Sequence, residues 1–248
     1  MQRYCVEVCA GGLEDCLLAQ AAGADRLELN SALFLGGLTP SIGVLDCALK
    51  AGVTIPIIAM VRPRGGGFCY SPAELEVIFE DARQLLQHGA AGLAFGFLTT
   101  EGQIDFGLTE RMVRLCQLYR AQSVFHRAFD CADHPIENAR QLARIGCTRI
   151  LTSGQASTAL AGIECLQNLQ AQVGDQIELC AAAGVTADNV VEILNSTGLH
   201  QVHGSFKHWQ QDPTTHGRSV SYAYHPQGDY ERTDPLQLAA VIQQLTQI

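Results

Sequence analysis

The chain has 248 residues, with 16 Lys or Arg against 25 Asp or Glu, for a formal net charge of −9. That length suits one large α/β domain, and 47% hydrophobic residues against 17% charged ones supply a core and exclude a disordered chain. The acidity excludes a mainly electrostatic grip on nucleic acid or on an anionic membrane, because either needs a basic face.

The first residues, Met1-Gln2-Arg3-Tyr4-Cys5-Val6-Glu7, contain no apolar run of signal-peptide length. No stretch of the sequence approaches the roughly 20 apolar residues of a membrane span. The expected compartment is the cytoplasm, where the 10 Cys stay reduced and read as core residues, nucleophiles or metal ligands.

In chain order, short apolar runs alternate with stretches of helical period. The strands are expected at 4–9, 26–30, 55–62, 92–98, 123–129, 149–153, 177–182 and 201–205. The helices follow them at 13–22, 40–51, 72–88, 108–119, 135–145, 157–173, 187–196 and 235–246. Ser71-Pro72-Ala73-Glu74 reads as a capping box, while Thr39-Pro40 and Asp234-Pro235 read as a cap followed by Pro at the first helical position. Gly23, Gly52, Gly89, Gly146 and Gly198 follow helical runs, where a left-handed residue ends a helix. Eight such units with no GxGxxG after the first strand predict a (β/α)₈ TIM barrel, one domain over 1–248. Residues 207–233 form a long polar segment before the last helix, expected to cover the active face or to serve as a surface or oligomer contact.

Barrel chemistry sits at the C-terminal ends of the strands. Residues two apart share a face, so Glu7 and Cys9 form one pair and Glu28 and Asn30 another. Buried carboxylates need cations, and Arg62, Arg64 and Arg127 are the candidates. These arginines also suit a clamp on a carboxylate or phosphate, with Ser153 and His203 as further binding groups. His126 is a candidate general acid or base, oriented by Asp130 or by a Glu, and Glu7 and Glu28 are candidates for proton transfer. The alternatives are a structural ion-pair network for the carboxylates and their cations, a loop salt bridge for Arg62 and Arg64, and a hydrogen-bonded core residue or a metal ligand for His126. No CxxC pair occurs, and Cys5 and Cys9 lie about 13 Å apart along a strand, so no zinc motif is present. A Cu(I) site built from different strands leaves no local motif.

Several segments together resemble the copper homeostasis protein CutC family. They are Val6-Glu7-Val8-Cys9, Gly23-Ala24-Asp25-Arg26-Leu27-Glu28-Leu29 and Gly36-Gly37-Leu38-Thr39-Pro40-Ser41-Ile42-Gly43. They continue with Val61-Arg62-Pro63-Arg64-Gly65-Gly66, Phe125-His126-Arg127-Ala128-Phe129-Asp130 and Arg149-Ile150-Leu151-Thr152-Ser153-Gly154. The resemblance implies a cytoplasmic, homo-oligomeric TIM barrel linked to copper homeostasis, with Cu(I) as cofactor and Cys9 as its leading ligand. Many members carry a second Cys at the end of the second strand, where this chain has Asn30. Two other readings stand beside copper: an enzyme acting on a small anionic metabolite, and a non-catalytic oligomeric scaffold.

Overall fold

The computed structural model describes residues 4–248, and Met1, Gln2 and Arg3 at the head of the N-terminal stretch lie outside it. Eight parallel strands close into a barrel: β1 (Cys5–Ala10), β2 (Arg26–Leu29), β3 (Ile57–Met60), β4 (Gly92–Phe95), β5 (Gln122–Phe125), β6 (Arg149–Thr152), β7 (Glu178–Ala182) and β8 (Gln201–Gly204). The helices on its outside are α1 (Leu13–Ala21), α2 (Ile42–Lys50), α3 (Pro72–Gln87), α4 (Phe106–Leu118), α5 (Pro135–Arg144), α6 (Ile163–Val173), α7 (Val190–Thr197) and α8 (Pro235–Leu245). The expected TIM barrel is the fold found.

Local chemistry explains most boundaries. Ser71 and Glu74 form the capping box in front of α3, and Asp234 caps α8 ahead of Pro235. Helix α2 differs from expectation: Ser41, not Thr39, caps it, and Pro40 lies outside. Thr39 is occupied elsewhere, its hydroxyl accepting from Arg62 N and donating to Arg62 O. The fifth strand also ends early, at Phe125. The next residues, Arg127–Cys131, form a 3₁₀ turn because the His126 ring accepts the backbone N–H of Ala128 and caps it. The long polar segment contains an antiparallel hairpin, β9 (Lys207–Gln210) and β10 (Tyr230–Thr233), anchored to α1 where Asp15 accepts from Thr233 N.

Strand alternation sorts the side chains into two environments. Val6, Val8, Leu27, Leu29, Ile57, Ala59, Phe95 and Phe125 join the large cluster under the helices. Ile58, Met60, Ala94, Val124, Leu151, Cys180 and Ala182 form a separate cluster inside the barrel. The same alternation turns Glu7, Cys9, Arg26, Glu28 and His203 inward. The interior is therefore apolar at mid-height along β3 to β7, with Arg149 of β6 paired to Glu178 of β7 at its N-terminal end, and charged along β8, β1 and β2. In an eight-stranded barrel the interior is filled by side chains, so these charges pair with one another and with inward neighbours such as Gln201 and Asn30.

Candidate functional site

Parallel pairing sets Glu7 beside both Arg26 and His203, and Cys9 beside Glu28. Glu7, 1% exposed, accepts from Arg26 Nε and lies 2.8 Å from His203 Nδ1. Burial pushes the Glu7 carboxyl up, but Arg26 and His203 outweigh it and hold it below the usual carboxylate range. Burial opposes charge on His203 in turn, yet Glu28, a hydrogen bond with Cys9 and Glu7 raise its pKa well above 6.5. His203 is thus an imidazolium between two carboxylates, with Glu28 Oε2 at 3.7 Å from its Nδ1. Burial raises Glu28, and the Cys9 thiol also goes up for the same reason.

These groups open onto a cavity of about 240 Å³ lined by Cys9, Glu28, Arg62, His126, Arg127 and His203 on its polar side. Met60, Phe68 and Leu151 form its apolar wall. His126 sits at its edge with Nδ1 taken by Ala128 N–H at 3.1 Å, and Nε2 is buried without a hydrogen-bond partner. Glu28 Oε2 is likewise buried and accepts no hydrogen bond among the described residues, with His203 Nδ1 its ion-pair neighbour at 3.7 Å. Gly96 lets the His126 ring approach, because a Cβ at position 96 would lie 2.5 Å from its Cε1.

Some sequence expectations need correction. Asp130 does not orient His126: it binds Thr152 Oγ1, the N–H groups of Ser153 and Gln155, Ser153 Oγ and Arg127. Burial, with Arg62 and Arg127 nearby, lowers His126 to about 3, so near neutral pH it is an uncharged imidazole. The cations that neutralise Glu7 are Arg26 and His203, not the three arginines expected. Arg62 lines the cavity, but three of its hydrogen bonds go to the carbonyls of Leu35, Gly37 and Gly66. Arg64 lies outside the cavity lining, paired with Glu74. Arg127 lines it and donates to Ser153 Oγ. Arg26 escaped notice, although its spacing of two from Glu28 marks it as inward-facing once Glu7 demands a cation.

A family model described as the CutC family matches residues 4–208. The chain belongs to the CutC family. A CutC family protein of Treponema denticola is 38% identical over 249 residues, covering 99% of this chain and 100% of its own. Another from Bacteroides thetaiotaomicron is 42% identical, covering 83% of this chain and 82% of its own. A crystal structure of CutC from Streptococcus agalactiae, provisionally described as a copper homeostasis protein, is 33% identical with a TM-score of 0.76, covering 82% of this chain and 98% of that one. N-(5'-phosphoribosyl)anthranilate isomerase of Pyrococcus furiosus, 13% identical with a TM-score of 0.55 over 99% of this chain and 100% of that one, shares the fold alone. Among the described residues, no helix is long and apolar enough to cross a membrane.

The copper expected from the CutC resemblance can be tested against the donors present. Cys9, Glu28 and His203 offer ligand atoms all within 4.8 Å of one another. Only one of them is a thiol, and Asn30 Nδ2 points an N–H at its sulfur from 3.3 Å instead of offering a second soft donor. The imidazole and the thiol both hold their protons. Soft Cu(I) favours thiolate and neutral imidazole, so this donor set fits it poorly.

Proposed function

We propose that the barrel mouth binds a small anionic metabolite, carboxylate or phosphate, and moves a proton on it. The observation that carries this reading is the cavity lining, in which Arg62, Arg127 and the protonated His203 face a single carboxylate, Glu28. That local excess of positive charge attracts a small anion although the whole chain carries −9. Glu28, its pKa raised by burial and its Oε2 accepting no hydrogen bond among the described residues, is the group suited to exchange a proton with the ligand. His203 and Glu7 fix the electrostatics behind it. Ten free Cys fit a reducing compartment such as the cytoplasm.

The test is a thermal-shift screen of small carboxylates and phosphates. A binder should raise the melting temperature of the wild type, and Arg127→Ala should remove the shift. Failure of the entire library would overturn the reading. A second reading, Cu(I) held by Cys9 and His203, rests on the 4.8 Å clustering of the Cys9–Glu28–His203 trio. It is settled in the same screen by titrating Cu(I) into reduced protein against a chelator. We expect no site that Cys9→Ser removes, and a one-to-one complex lost in that variant would establish copper instead.

A further inference from the structure

Two residues that line one cavity each carry a buried polar atom without a hydrogen bond among the described residues, and the chemistry of the two atoms is complementary. Ala128 N–H donates to His126 Nδ1, so the lone pair lies on Nδ1 and the ring proton on Nε2. That Nε2–H is a buried donor with no acceptor among the described residues. Leaving it unpaired is costly, and a ligand oxygen would supply the missing acceptor. Across the cavity lining, Glu28 Oε2 is a buried carboxylate oxygen with no donor. Its sister oxygen receives Asn30 Nδ2 at 3.2 Å, and His203 Nδ1 stays 3.7 Å from Oε2, beyond hydrogen-bond range.

An unpaired donor that stays neutral and an unpaired base in a partly apolar cavity are what removal of a proton next to a carbonyl requires. The donor stabilises the oxygen on which charge develops, and the base takes the carbon-bound proton. Met60, Phe68 and Leu151 give the cavity an apolar wall, beside which both interactions are stronger than in water. The cavity, about 240 Å³, is sized for a small metabolite.

We propose that this site enolises a small anionic carbonyl compound, with Glu28 as the base and His126 Nε2–H as the hydrogen-bond donor to the carbonyl oxygen. The C–H bond beside the carbonyl breaks and its electron pair forms the new C=C bond. The carbonyl π pair moves to oxygen, where His126 holds it, and the proton rests on Glu28 Oε2. Return of the proton to the same carbon restores or epimerises the compound, and no other reactant is consumed. The proposal rests on the reading that the mouth binds a small anion, and it adds the substrate class and a role for His126 that is not acid–base.

The test incubates reduced full-length protein in D₂O with pyruvate, 2-oxobutyrate, dihydroxyacetone phosphate and ribulose 5-phosphate. Proton NMR follows binding by saturation transfer and exchange by loss of the signal beside the carbonyl. A compound that binds should exchange at least about tenfold faster than in buffer, with Glu28→Gln abolishing the gain. His126→Phe should remove most of that gain, by as much as about 100-fold where the gain is large enough to lose it, and His126→Gln, which keeps an N–H, should restore part of it. Circular dichroism melts establish that each variant is folded. Nitrogen-15 spectra should show His126 as the neutral Nε2–H tautomer through neutral pH. A compound that binds without exchanging, exchange that survives Glu28→Gln, or a His126 ring that titrates near neutrality would overturn the enolisation proposal alone. Binding of none of the four while another anion raises the melting temperature would also overturn the enolisation proposal alone, whereas failure of the whole anion library would overturn both.

Discussion

A carboxylate at position 7 faces the barrel interior because its neighbours Val6 and Val8 face the helices. There it either meets positive charge or stays protonated. Arg26 Nε and His203 Nδ1 supply that charge from the strands on either side. Arg26 also donates to Gln201, which holds the guanidinium in place below the cavity. Removing one partner of a buried pair leaves the other without compensation, so Arg26→Met should destabilise the protein by about 3–5 kcal/mol. The double variant Arg26→Met/Glu7→Gln should cost less than Arg26→Met alone. Urea unfolding measures both, and an unchanged midpoint for the single variant would contradict the account.

The turn after β5 and the loop after β6 behave as one element, because Asp130 joins them. Its carboxylate accepts from Thr152 Oγ1 at 2.5 Å, from the N–H groups of Ser153 and Gln155, and from Arg127 Nε at 2.9 Å. The bond to Arg127 fixes where that guanidinium meets the cavity. Asp130→Ala should therefore weaken anion binding more than its distance from the ligand suggests. It should also cost about 1–3 kcal/mol from backbone donors left unpaired. Ligand titration and urea unfolding of this variant check the two effects, and retention of wild-type affinity would mean that Arg127 holds its position without Asp130.

At the scale of the whole molecule, the buried titratable groups set two limbs of a pH–stability curve. His126 falls from 6.5 to about 3 on folding, so the unfolded chain binds its proton first. Its contribution is complete above pH 6.5 and is lost as pH drops from 6.5 toward 3. Glu7, lowered from 4.5, adds to the acid limb as pH falls through its folded value. His203, raised above 6.5, contributes fully below that pH and loses its contribution as pH rises through its folded pKa. Glu28, raised from 4.5, contributes fully below that pH and loses its contribution as pH rises from 4.5 through its folded value. Stability measured by urea across the range should peak near neutrality, with His126→Gln flattening the acid limb and His203→Gln the alkaline one. Limbs unaffected by these substitutions would place the titration elsewhere.

The sequence by itself determined the barrel, because strand and helix periods, caps and terminating glycines are local signals that each unit repeats. It also determined which strand ends carry polar groups, and hence that Glu7, Cys9, Glu28, His126, Arg127 and His203 belong near one another. Only the tertiary structure decided their partners. Which cation reaches Glu7 depends on the register between β8, β1 and β2, and that chose Arg26 and His203 over Arg62, Arg64 and Arg127. Whether His126 is an acid, a base or a neutral donor depends on an Ala128 N–H supplied by a 3₁₀ turn that strand periodicity did not foretell. Periodicity reports the face a side chain takes, whereas charge state follows from burial and from atoms brought close across many residues of chain.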